Sequence, residues 1–415
     1  MRAVVYRGAN DLRLETVPVP RIGPYELLVK VAVCGVCPTD IKKIQYGTVP
    51  PPRIFGHETA GTVVRAGARA REFKVGDRVA LHHHVPCLEC HACRHRAFAQ
   101  CEQYKRTGIT AGFEPAGGGY AEYVRVMPFV LPGVVRIPAR NSFLEGAMLE
   151  PVNTVLKAVK RLALLRGDTV LVAGQGPIGL MFTRLLTLEG MRVVATDLLK
   201  TRLEMAREFG AVGVVKIRSP EAEIRNPKSE IRRKSEVRSP KSEVTGQLSV
   251  VSGHASRITH HASRITHHAS RITHHASRIT HHASRITHHA PRIHQLTGNR
   301  GFDAAVIAVP SDAVVREAQS LVRGGGRVLL FSHTRRGDET PVDLAAVCVD
   351  EKDLIGSYSA DFLLQDEVAR LVFSRKLDAC RLITHRFPLA QTGDAIELAS
   401  RPSPDSLKVV VVQGE

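Results

Sequence analysis

Asp168-Thr-Val-Leu-Val-Ala173, Gly174-Gln-Gly-Pro-Ile-Gly179 and Leu180-Met-Phe-Thr-Arg-Leu-Leu-Thr-Leu-Glu189 follow one another without a break. They read as a buried strand, a tight turn and a helix. Gly174 permits the turn, Gly176 lets backbone approach a pyrophosphate, and Gly179 lets helix pack on strand, with phosphate at the helix N-terminus beside Pro177 and Ile178. A glycine pattern alone is a weak signal. It gains force from a second strand, Met191-Arg-Val-Val-Ala-Thr196, which ends in Asp197, eighteen residues after Gly179. A carboxylate there accepts hydrogen bonds from an adenosine ribose diol and repels a 2′-phosphate, which favours NAD over NADP, although Lys200 and Arg202 nearby temper that preference. Arg202 is also a candidate cofactor contact. Asp197 equally suits a helix N-cap before Leu198.

Strands and helices alternate onward, with strands expected at 212–217, 302–309, 326–331 and 353–358 and a helix at 313–322. That alternation is the pattern of a doubly wound α/β sheet. With 415 residues, 43% hydrophobic and 24% charged, the chain can bury more than one domain. Collagen-like, wholly disordered and disulfide-scaffold classes are excluded. No apolar run reaches membrane-spanning length and no secretory leader is read, so a cytoplasmic protein without membrane contact is expected.

The net charge of +18 raises the question of nucleic acid. Half of it sits in residues 218–292, which hold 14 basic and 5 acidic side chains, eleven histidines and five copies of Ala-Ser-Arg-Ile-Thr-His-His. Each unit offers one large apolar residue, so no coiled-coil seam forms, and the segment is expected to be a disordered insertion. Part of 219–237 is expected to supply a crossover helix. The remaining charge is ordinary for an enzyme, and nucleic-acid binding is not expected.

Cys87, Cys90, Cys93 and Cys101 follow C-x2-C-x2-C-x7-C. Short spacings let thiolates surround one ion and the longer return closes a tetrahedron, so a structural zinc is preferred over an iron–sulfur cluster. The neighbouring His82, His83, His84, His91 and His95 are then redundant as ligands and are read as surface or packing residues. Upstream, Cys37, His57 and Glu58 form a mixed thiolate, imidazole and carboxylate set of the kind catalytic zinc uses.

Cys37-Pro-Thr-Asp40, Gly56-His-Glu58, Phe73-Lys-Val-Gly-Asp-Arg-Val79 and the cysteine quartet, in that order, resemble the zinc-dependent medium-chain dehydrogenase/reductase family. The resemblance covers the chain except the insertion. It implies a GroES-like catalytic domain at 1–150, completed by 360–415, and a Rossmann NAD-binding domain at 151–359 carrying the insertion. It implies two zinc ions per chain, and a homodimer or homotetramer. Cys37 and His57 correspond to catalytic zinc ligands, Thr39 to the hydroxyl that passes on the substrate proton, and Asp40 to a carboxylate orienting His57. Glu150, in Met148-Leu-Glu-Pro151, stands where polyol and threonine dehydrogenases carry Glu; whether Glu58, Glu150 or a water completes the shell stays open. Lys42 and Lys43 occupy the place of a relay histidine, so the last proton step is unassigned. The implied activity is oxidation of a secondary alcohol, polyol or threonine-like, by hydride transfer to the nicotinamide. The alternative is a catalytically impaired relative whose His/Arg-rich insertion binds metal or polyanions.

Overall fold

In the computed structural model, the residues described are 1–82, 84–105, 109–113, 117–217, 295–332, 337 and 339–413. The repeat block and the crossover helix expected within 219–237 lie outside them. Met1–Lys216 and Gly301–Glu415 make one compact unit.

A six-stranded parallel sheet runs in the order 213–216, 192–197, 169–173, 302–307, 322–330 and 353–356. Its central strands Thr169–Ala173 and Phe302–Ile307 are buried at every position, as strands covered by helices on both faces must be. The chain leaves the sheet at one edge after Lys216 and re-enters beside the central strand at Phe302. The strands end earlier than the sequence suggests: at Ile307 rather than 309, and at Gly356 rather than 358. Beyond Gly356 the backbone turns, with Ser359 at φ 63. The expected strand at 326–331 begins sooner, at Val322, because Val322 pairs with Phe302 across an irregular step.

A second, larger sheet runs 383–388, 408–412, 27–35, 58–66, 78–81 and 134–136, so the last two strands of the chain complete a sheet begun by the first hundred residues. Register matters here. Leu27–Gly35 pairs antiparallel with Glu58–Ala66, which sets Gly35 opposite Glu58. On its other side, Gly35 faces Val410 of Lys408–Val412. One core joins both sheets, with Val33, Ala60, Val152, Val172 and Val410 among its members.

Candidate functional site

Cys37 ends the loop after Leu27–Gly35 and is the N-cap of the helix Pro38–Tyr46, whose Pro38 lacks the N–H that a first turn leaves unpaired. His57 and Glu58 lie at the start of the neighbouring strand. One donor atom each from Cys37, His57 and Glu58 fall within 4.8 Å of one another, a set able to hold a metal ion. Three donors of mixed hardness, two of them buried, leave room for a further ligand, the condition for Lewis-acid chemistry.

Asp40, buried in the helix's first turn, meets His57 Nδ1 with Oδ2 at 3.1 Å. That contact fixes the ring and leaves Nε2 as the donor available to a metal. Burial opposes protonation of His57, but Asp40 and Cys37 outweigh it and hold the imidazole pKa well above its usual value. An excess of negative charge that favours a proton also favours a divalent cation.

No local pattern points to Lys408. Its ammonium reaches Glu58 Oε1 at 2.7 Å, Glu58 Oε2 at 2.5 Å and the Val36 carbonyl at 2.9 Å, with both side chains almost fully buried. Lys408 stays charged: burial pulls its pKa down, and Glu58 more than restores it. Gly35 makes room for the pair, since a Cβ there would stand 1.8 Å from Glu58 Oε2.

Glu150 is not in the three-donor group. It sits in the first turn of the helix Leu149–Leu162, buried, with Oε1 3.3 Å from His84 Nδ1. Burial pushes its pKa up to about 7, with His57 opposing. His84 is therefore packed, as the sequence suggests, but against the candidate site: its ring lies 6.1 Å from that of His57 and 4.9 Å from that of Tyr104. His82 is buried too, and burial lowers its pKa to about 4. Thr39 is half-buried in the helix first turn, one residue before Asp40.

The four cysteines converge as their spacing predicts, none of them in a disulfide. Cys87 Sγ lies 3.7 Å from Cys101 Sγ and 3.9 Å from Cys93 Sγ. Thiolates placed tetrahedrally at about 2.3 Å from one zinc ion stand about 3.8 Å apart. The backbone N–H of Cys87 points at Cys101 Sγ at 3.4 Å, and that of Cys90 at Cys87 Sγ at 3.3 Å. Burial raises the Cys101 pKa, yet N–H groups of Cys87 and Tyr104 aimed at its sulfur bring it down to about 7.

In the dinucleotide motif, Gly174 has φ 90, and the helix Pro177–Leu188 starts from Gly176 as its N-cap. A Cβ at Gly179 would stand 1.8 Å from the Gly174 carbonyl oxygen, so helix and turn approach as closely as two backbones can. Nothing lies within 4 Å of a Cβ built on Gly176, which leaves space over the turn. Ile178 packs against the core. Asp197 closes the second strand, buried, accepting from the N–H of Gln175 at 2.6 Å and of Leu199 at 2.9 Å. Arg202 donates to the Ser406 carbonyl at 3.1 Å.

Residues 23–138 match the family described as the alcohol dehydrogenase GroES-like domain. Sorbitol dehydrogenase of Bacillus subtilis (strain 168) is 26% identical over 417 residues, covering 99% of this chain and 97% of its own length. Sorbitol dehydrogenase of Gallus gallus is 34% identical over 223 residues, 52% of this chain and 61% of its own. Among solved structures, alcohol dehydrogenase TADH from Thermus sp. ATN1 superposes with a TM-score of 0.72 at 25% identity, covering 100% of both chains. The 2R,3R-butanediol dehydrogenase of Bacillus subtilis superposes with a TM-score of 0.71 at 22% identity, over 100% of this chain and 99% of the other. Over residues 23–138 the chain matches that GroES-like family, and over nearly its whole length it is similar to sorbitol and alcohol dehydrogenases. Among the described residues, no helix is long and apolar enough to cross a membrane.

Proposed function

We propose that the protein oxidises a secondary alcohol of a polyol, with a catalytic zinc held by Cys37, His57 and Glu58, a structural zinc held by Cys87, Cys90, Cys93 and Cys101, and NAD on the glycine turn. The observation that carries this reading is the mixed donor group within 4.8 Å, braced by Asp40 at 3.1 Å. A bound zinc ion supplies a Lewis acid for the alcohol oxygen, and the nicotinamide supplies the hydride acceptor.

The chain's own residues do the rest. Cys37 and His57 would hold the ion, and Asp40 keeps His57 in the tautomer that presents Nε2 to it. Glu58 is neutralised by Lys408, which softens its grip on a cation. Thr39, beside the donors, carries the hydroxyl proton away. Glu150 and His84 line the same buried corner with polar groups that suit a substrate bearing more than one hydroxyl, the kind of substrate for which the two similar sorbitol dehydrogenases are named. Asp197, oriented by two backbone donors at the end of the second strand, supports NAD over a 2′-phosphorylated cofactor.

The domain division at 150 and 360 is supported by the two sheets, the parallel one built from 169–356 and the other from the chain's two ends. A homodimer is supported by Asp353–Gly356, an edge strand of the parallel sheet among the described residues, close to which in sequence Leu344 and Val349 are 75% and 78% exposed.

NAD reduction over a panel of polyols, with zinc measured per chain, tests the reading. Wild type reduces NAD with at least one polyol and carries about two zinc ions. Cys37→Ala keeps about one and turns over nothing. Full activity in Cys37→Ala would defeat the proposal.

A further inference from the structure

The helix Leu149–Leu162 carries an unusual buried stripe: Glu150, Asn153 and Lys157, polar side chains at spacings that share one face, are all buried. Two of them grip a turn. Lys157 Nζ donates to the Tyr358 carbonyl at 2.9 Å, and the Asp361 N–H donates to Asn153 Oδ1 at 2.8 Å. Between those anchors Ser359 has φ 63, a conformation a serine keeps only when its surroundings impose it. Its hydroxyl meets the Tyr104 hydroxyl at 2.6 Å.

Tyr104 belongs to the four-cysteine lobe. It packs with Cys93, Phe98, Ala99 and Cys101, and its N–H points at the Cys101 sulfur. The same phenol ring lies 4.9 Å from the His84 ring, and His84 Nδ1 lies 3.3 Å from Glu150. A single side chain thus leaves the cysteine lobe and touches both the turn and the His84–Glu150 pair. Burial raises its pKa, so the hydroxyl remains protonated and can donate to Ser359. Nothing about lobe integrity requires that hydroxyl: the ring alone fills the lobe's apolar cluster.

We propose that Tyr104 is a positioning residue through which the four-cysteine lobe sets the place of Glu150 and of the Tyr358–Asp361 turn, so that the lobe governs how the alcohol is held and not only how stable the protein is. This rests on the reading of Glu150 and His84 as part of the alcohol site.

The test uses full-length zinc-loaded protein, with Tyr104→Phe, Ser359→Ala and the double variant. Each single change removes one hydroxyl and no ring, and a neutral hydrogen bond is worth about a 5-fold change in an equilibrium. The expected result is about 5-fold faster amide exchange across 357–365 and about a 5-fold rise in KM for the polyol, with kcat within about 2-fold and zinc per chain unchanged. The double variant should match either single one, because the two hydroxyls share one bond. The proposal is overturned if KM stays put while only the melting temperature moves, if exchange at 357–365 does not change, or if the two substitutions add. Ser359→Gly separates the hydroxyl from the backbone: it relieves the left-handed φ, so a normal KM in that variant would also overturn the proposal. Failure of the site reading looks different, as a wild type without turnover on any polyol. In that event unmoved exchange still refutes the Tyr104 link, and faster exchange at constant zinc still supports it.

Discussion

Lys408→Met is the sharpest probe of the electrostatics around Glu58. Methionine matches the lysine stem in length but carries no charge, so the substitution leaves the Glu58 carboxylate, 2.5 and 2.7 Å from the lost ammonium, buried and alone. Removing one partner of a buried pair costs about 3–5 kcal/mol, mostly from the charge left behind. The raised pKa of Lys408 means that its contribution is complete below the unfolded lysine value and fades only as pH rises through the folded one, so pH 7 reads the whole effect. Zinc changes the outcome, because a cation beside Glu58 restores the missing positive charge. Urea unfolding at pH 7, wild type against variant, should therefore show a loss of about 3–5 kcal/mol after chelation and dialysis, and about 1–2 kcal/mol with zinc present. Taking the difference between variant and wild type within each metal state removes the contribution of the cysteine lobe. Equal losses in the two states, or a loss below about 1 kcal/mol without metal, would refute the reasoning.

Two further outcomes are expected. Gly179→Ala forces a methyl to 1.8 Å from the Gly174 carbonyl oxygen, and both are backbone-fixed, so the turn must open; isothermal titration should show NAD binding weakened by at least about 10-fold, while zinc content is unchanged. Glu145 is held at a pKa of about 2 against the usual 4.5: burial raises it, but Arg375, the Ser142 N–H and Asn141 together win. A depressed carboxylate stabilises the fold above its unfolded pKa and loses that contribution as pH falls, so stability should drop between about pH 4.5 and 2, on the order of 2 kcal/mol, and Glu145→Gln should flatten that part of the profile.

What was legible in the sequence is what lies close along the chain. The glycine turn, Asp197 and the cysteine quartet are local patterns, and their geometry follows from spacing alone. Cys37, Asp40, His57 and Glu58 were readable because two adjacent strands deliver them, and the register that sets Gly35 against Glu58 is short-range. Lys408 was invisible, since its partner stands 350 positions earlier and no local pattern announces a buried lysine. The same holds for Tyr104 and Ser359, 255 positions apart. Glu150, read as a possible zinc ligand, leaves the first helical turn toward His84 and not into the three-donor group, and that direction depends on how the helix docks. The histidine row 82–84 looked like surplus beside four cysteines, because periodicity cannot say which ring faces inward.

The strand that carries Lys408 has a consequence for how the molecule is made. On the ribosome, Cys37, His57 and Glu58 emerge early and the parallel sheet can follow, yet the seat beside Val33–Gly35 stays vacant until residues 408–412 appear. Until then Glu58 lacks its counter-charge and the barrel-like sheet has a raw edge at its heart. Nascent chains must therefore wait for residues 408–412 before Glu58 gains its partner, and a stop codon placed shortly before Lys408 would release a product with every earlier signature in place and Glu58 without its counter-charge.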